Sequence, residues 1–289
     1  METLKNRILV PVDFSEVSDF AIQHAVIFAK KINADLYLLH IIEKPLIYVS
    51  RNNKYDNQLI EEATMTRLQK IADEIEYNQQ LNVEIIAISG NIFDSINHVA
   101  REMEANFVFM GTHGVKGMQY IRGSNALRIL YQATIPYILT QKLPQHEGEF
   151  DNIIFPVDVQ PESAQKADWA IFIAKKFNSK INIIVPKEND KLINRKVNWS
   201  LNFVKKAFTT AGINFNVKLT DRDNTYLAED TIKFAEEIKA NLIMVMIYPS
   251  KGTEFLITPD QQKVISNPHQ IPVMCINLGT LVTLQQNLV

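Results

Sequence analysis

The chain has 289 residues, room for one large domain or two ordinary ones, and 46% of them are hydrophobic, as in soluble globular proteins. Thirty Lys and Arg against 32 Asp and Glu leave a net charge of −2, which points away from nucleic acid and anionic membranes as partners. No apolar run reaches the ~18 residues of a membrane helix, and Met1–Arg7 lacks the apolar core of a secretory signal, so a cytoplasmic location is expected.

Taken in order, the apolar run Arg7–Val12 predicts a strand. Asp19–Asn33 predicts a helix, with Phe20, Ala21, His24, Ala25, Ile27 and Phe28 at helical spacing. Leu36–Ile42 follows as a strand, Leu59–Tyr77 as a long amphipathic helix, Val83–Ile88 as a third strand and Phe93–Glu104 as a third helix. Phe107–Met110 is a short buried strand, Ser124–Gln132 a helix with Ser124 or Asn125 at its N-cap, and Tyr137–Thr140 a last strand. Strands joined by helical crossovers imply an α/β fold, an open parallel, Rossmann-like sheet with helices on both faces. Ligands of such sheets sit outside the carboxyl ends of the strands, where the strand order reverses.

Two features fall at those carboxyl ends. Asp13 follows the first strand, and residues 111–124, rich in glycine (Gly111, Gly114, Gly117, Gly123), lie between the fourth strand and a helix start. Glycines let backbone N–H groups approach an anion, and a helix N-terminus favours negative charge, so a bound nucleotide is one explanation of the loop. A glycine-rich turn with no ligand is the other. There is no G-x-G-x-x-G spacing and no Lys-Ser/Thr after the glycines.

The chain repeats itself. Ile8, Pro11, Val12, Asp13, Ser18, Ala25, Ala29, Lys30, Lys31 and Asn33 recur without a gap as Ile153, Pro156, Val157, Asp158, Ser163, Ala170, Ala174, Lys175, Lys176 and Asn178. Later, 106–110 corresponds to 241–245 and 135–139 to 271–275. Such self-similarity implies two tandem copies of one domain, 1–146 and 147–289, with the boundary in the polar segment 141–149. The single cysteine, Cys275, lies in an apolar run and is expected to be a small buried hydrophobe. His24 and His40 lie in apolar elements and are expected to be satisfied core or surface residues.

These residues resemble the universal stress protein family in its tandem form, with the fold of the adenine nucleotide alpha hydrolase-like proteins. The resemblance rests on Pro11-Val12-Asp13-Phe14-Ser15, on Leu38-Leu39-His40-Ile41, and on Met110-Gly111-Thr112-His113-Gly114 with Gly123-Ser124-Asn125. ATP-binding members carry G-x-x-G, nine residues, then G-Ser/Thr; here eight residues separate Gly114 from Gly123, with Gly117 among them. The resemblance implies that ATP or AMP is held in the first half. Asp13 would accept from the nucleotide near adenine and ribose, Ile41 would touch the base, and Gly111, Gly114, Gly123 and Ser124 would hold the phosphates. Mg²⁺ or Mn²⁺ could accompany a triphosphate. For Asp13 the alternative is a helix or turn cap, and His113 is a loop residue or phosphate neighbour rather than a catalyst.

The second half keeps Pro156-Val157-Asp158 but has only Gly252 where the glycine loop belongs, and its second strand ends in Val185-Pro186-Lys187. It is expected to have lost nucleotide binding and to pair with the first half. The apolar last strand of each half suits edge pairing within the chain or in a homodimer, and the tail Leu278–Val289 either covers an edge or frays. Two functions remain open: a regulatory or sensory nucleotide-binding protein of the stress response, with at most slow ATP hydrolysis, and an interaction scaffold without a ligand.

Overall fold

The computed structural model describes residues 5–43, 53–112, 129–144, 150–247 and 257–277. The first half runs β1 (Asn6–Pro11), α1 (Glu16–Ile32), β2 (Ala34–Ile42), α2 (Asn53–Gln79), β3 (Val83–Ser89), α3 (Ile92–Glu102) and β4 (Phe107–Gly111), then a helical turn at 129–132 and β5 (Tyr137–Thr140). The second runs β6 (Asn152–Pro156), a 3₁₀ turn (Pro161–Lys166), α4 (Ala167–Phe177), β7 (Lys180–Val185), α5 (Lys191–Ala211), β8 (Phe215–Leu219), α6 (Leu227–Glu237), β9 (Leu242–Ile247), α7 (Pro259–Ile265) and β10 (Val273–Asn277).

Two helix starts differ from expectation by three residues or more, for local reasons. Helix α1 starts at Glu16 rather than Asp19, because Ser15 is its N-cap and accepts from the Ser18 N–H. Helix α2 starts at Asn53 rather than Leu59, and its added residues, Asn53-Lys54-Tyr55-Asp56-Asn57-Gln58, carry no apolar period to reveal it. The repeated Asn33 and Asn178 also gain a reason. Each ends its helix in the left-handed region (φ 55° and 56°) and donates its N–H to Ala29 or Ala174, which turns the chain directly into β2 or β7.

Strand order in the described residues is β3-β2-β1-β4-β5-β10-β9-β6-β7-β8, one ten-stranded sheet. Pairing is parallel within each half, and the halves meet at the antiparallel pair β5·β10, with Leu139 opposite Val273, Ile138 opposite Met274 and Tyr137 opposite Cys275. The expected edge pairing of the two last strands thus takes place within the chain. In each half the order reverses beside the first strand, between β1 and β4 and between β6 and β9.

Both faces of the sheet are covered. Alternate residues of the strands pack under α1, α2, α4 and α5 on one face and under α3, α6 and α7 on the other, and each apolar cluster runs through both halves. At the junction the Phe28 ring lies 4.8 Å from Phe107, 5.5 Å from Phe150 and 5.1 Å from Phe177, and Phe107 meets Trp169 edge-on at 5.3 Å. Such aromatic pairs add about 0.5–1.5 kcal/mol each beyond the area they bury. Cys275 is buried as expected, and burial pushes its thiol far up the pKa scale.

Candidate functional site

In the first half the carboxyl ends of β2, β1 and β4 bring together Ile41, Pro11, Val12, Asp13, Met110, Gly111 and Thr112. Ile41 is buried and Met110 half-buried on the α3 face, an apolar flank beside the reversal in strand order. Val12 faces the other way, into the core under α1. Its N–H donates to Leu39 O (2.7 Å) and its carbonyl accepts from His40 Nδ1 (2.7 Å), so both backbone groups are engaged within the chain. Because a carbonyl can only accept, that bond puts the proton of His40 on Nδ1.

After β1 the chain makes a tight turn. Asp13 Oδ1 accepts the Ser15 N–H (3.0 Å) and the Ser15 hydroxyl, while Ser15 Oγ caps α1. Burial pulls the Asp13 pKa upward, but hydrogen bonds from Ser15 and Ser18 outweigh it and hold the carboxyl below its usual value. The cap function of Asp13 is therefore present, on an exposed side chain at the rim of the crevice. Phe14 adopts the left-handed region (φ 62°), which costs a non-glycine residue of order 1–3 kcal/mol. Its ring is held by stacking on His40 (centroids 4.7 Å apart) and by the Arg67 guanidinium 4.1 Å above it. Phe14 and Ser15 accordingly shape the turn. The sequence did not single out Arg67, whose partner lies on a distant element.

Gly111 ends β4 against the first turn of α1. A Cβ there would lie 2.1 Å from Val17 O and 2.4 Å from Val17 C, so this glycine is required by the close approach of the helix alone. The Thr112 N–H donates to Thr140 O (2.8 Å), which takes that amide out of the set available to an anion. The Thr112 side chain differs: it is 8% exposed and its Oγ1 has no hydrogen-bond partner among the described residues. A buried hydroxyl without a partner is costly, and such groups in native folds call for an explanation. His113, Gly114, Gly117, Gly123, Ser124 and Asn125 lie outside the described residues. Beyond them, Leu130 is buried within the turn 129–132, and Asn97 Nδ2 donates to Ile129 O (3.0 Å) while accepting from the Tyr137 hydroxyl (2.7 Å).

The second half forms the same turn, with Gln160 N–H donating to Asp158 Oδ1 (2.7 Å). Met246 stands where the repeat places Gly111, and the segment that would approach it is the 3₁₀ turn Pro161–Lys166 instead of a helix start. Lys166 ends that turn. It is wholly buried, and its Nζ donates to Pro156 O (2.7 Å) and Ser163 O (2.6 Å) and lies 4.2 Å over the Phe155 ring. Burial pushes its pKa down to about 7, against the opposing attraction of Asp158. A crevice of about 210 Å³ remains beside Asp158, Lys166, Asn224, Thr231, Met244 and Gln261. That is less than the ~300 Å³ at which ligand pockets ordinarily begin.

The fold defines an α/β open-sheet protein whose strand order reverses once in each half. The family model described as "Universal stress protein family" matches residues 5–141, and that segment is similar to the family. A universal stress protein of Methanocaldococcus jannaschii is 27% identical over 146 residues, covering 49% of this chain and 85% of that one. Universal stress protein G of Salmonella typhimurium is 26% identical over 141 residues, 46% of this chain and 97% of its own length. Among solved structures, a universal stress protein from Archaeoglobus fulgidus superposes with a TM-score of 0.75 at 21% identity, covering 94% of this chain and 96% of that one, so the likeness of fold extends through both halves.

Proposed function

We propose that the first half binds an adenine nucleotide, ATP or AMP, at the ends of β1, β2 and β4, and that the protein acts in the cytoplasm as a nucleotide-dependent regulator or sensor in the stress response. The observation that carries this reading is the Thr112 hydroxyl, buried and without a partner among the described residues, at the reversal of strand order and within the glycine-rich stretch 111–124. A phosphate or ribose oxygen would supply its missing partner. Ile41 and Met110 offer an apolar wall for the base, and the Asp13 carboxylate offers an acceptor at the rim. The sequence of 113–125 supplies the remaining glycine amides and the Ser124 hydroxyl.

Binding without rapid turnover fits these groups best. The carboxylate at the rim is held below its usual pKa, which makes it a weak general base. Mg²⁺ or Mn²⁺ would arrive with a triphosphate and be held by its oxygens, because no cluster of three metal-binding side chains occurs among the described residues. In this reading 1–146 and 147–289 are tandem domains, and the second, with Met246 and Lys166 in place of a glycine and a helix start, pairs with the first and takes no nucleotide.

A second reading, a scaffold without ligand, draws support from the internal duties of Val12, Asp13, Ser15 and Gly111 described above. Thr112→Val separates the two. Removing a buried unpartnered hydroxyl leaves folding unchanged or improves it, so a scaffold would melt no lower. Under the nucleotide reading the variant melts as high without ligand but loses about 1–2 kcal/mol of the stabilisation that ATP gives, the scale of one lost hydrogen bond. Thermal melting of both proteins with and without ATP measures this.

A further inference from the structure

The residue that follows β5 and the one that ends β10 do more than close the seam. By the repeat, Gln141 corresponds to Asn277, and both side chains are buried at 6% and 7% exposure. Each crosses into the other half. Gln141 Nε2 donates to Ile265 O (2.9 Å), the last residue of α7. Asn277 Nδ2 donates to Leu130 O (3.1 Å) and Tyr131 O (3.2 Å), in the helical turn 129–132. The carbonyls of a last helical turn lack partners within their helix, so in each case one half caps a helix of the other. This is the reciprocal contact expected of a two-fold interface, in a single chain.

One of the capped elements lines the second-half crevice, and the other follows the glycine-rich segment in sequence. Helix α7 brings Gln261 and Val264 to the wall of the second-half crevice, and Gln261 Nε2 donates to Met246 O (2.7 Å) there. The turn 129–132 follows the glycine-rich segment in sequence, and its Ile129 carbonyl is fixed from the first half by Asn97, itself held by Tyr137 of β5. Asn97 therefore anchors that turn from within, and Asn277 from the partner half.

We propose that the two halves set each other's crevices through these crossed amides, and that Asn277 is a positioning residue for nucleotide binding in the first half. Its bearing on nucleotide rests on the function proposed above. The bearing on order does not.

The test uses the full chain with Asn277→Leu, Asn277→Ala as a milder version, and Gln141→Leu as the symmetric control. ATP affinity is measured by calorimetry, and amide hydrogen exchange is followed over 129–134 and over 257–267. Asn277→Leu should weaken ATP binding roughly three- to tenfold, the worth of one or two neutral hydrogen bonds, and speed exchange in 129–134. Gln141→Leu should speed exchange in 257–267 and leave ATP affinity within about twofold, although it removes a comparable bond. Equal ATP affinity in the two leucine variants would make both amides mere seam struts and overturn the proposal. If the unaltered chain takes no ATP, the nucleotide reading fails, and exchange decides the rest: unchanged protection of 129–134 in both Asn277 variants overturns the mutual positioning, whereas a local loss upholds it.

Discussion

Gly111 and Lys166 show how one residue decides the shape of each crevice. At Gly111 the backbone of Val17 occupies the place of a side chain. Gly111→Ala must push α1 away from β4, and it should cost about 1–3 kcal/mol of stability, the usual range for an overpacked site, measurable by urea unfolding. In the second half Lys166 carries the opposite burden. Its folded pKa of about 7 lies below the ordinary lysine value of 10.5, so between those pH values the unfolded chain binds more protons than the folded one, and stability rises with pH. Below pH 7 the penalty is fully present, and above about 10.5 it is gone. Lys166→Met should therefore improve relative to the unaltered protein as pH falls from 10 to 7, in unfolding curves taken across that window. A comparison that stays flat with pH would show that the ammonium is not penalised by burial.

At the scale of elements, most of the first half was legible because each strand and helix carries its own apolar period. Tyr137–Thr140 was read to the residue, and β1, β3 and β4 within one residue at either end. The start of α1 was missed because Asp-Phe-Ser-Glu reads equally as a turn. Only the geometry shows Ser15 as the cap and Asp13 tied behind it. Ser15→Ala should cost about 0.5–2 kcal/mol, as other lost N-caps do, and should lower the melting temperature without changing the ladder of β1. Of the site, the sequence located Asp13, Ile41, Met110 and Thr112 at the correct end of the sheet. It could not show that the Val12 backbone groups and the Thr112 amide are already engaged, since their partners Leu39, His40 and Thr140 come from other strands. Arg67 over Phe14 and the crossed amides Gln141 and Asn277 were hidden for the same reason: their contacts span 53, 124 and 147 positions of sequence.

For the whole molecule, the β5·β10 seam joins two five-stranded units into one sheet with continuous cores on both faces. Every residue of β5 is buried by that arrangement. A fragment of residues 1–146 would bare an apolar strand edge, which templates further pairing. It should sediment as a dimer or larger species where the full chain does not form that contact. A monomeric, stable fragment would show that the seam is dispensable.

The most direct measurement is the nucleotide released when the purified full-length protein is heat-denatured, paired with its melting curve in added ATP. Copurified adenine nucleotide, or a stabilisation near 2.7 kcal/mol at about a hundred times the dissociation constant, reduced in Thr112→Val, is the predicted result. No released nucleotide and identical melting with and without ATP would contradict it.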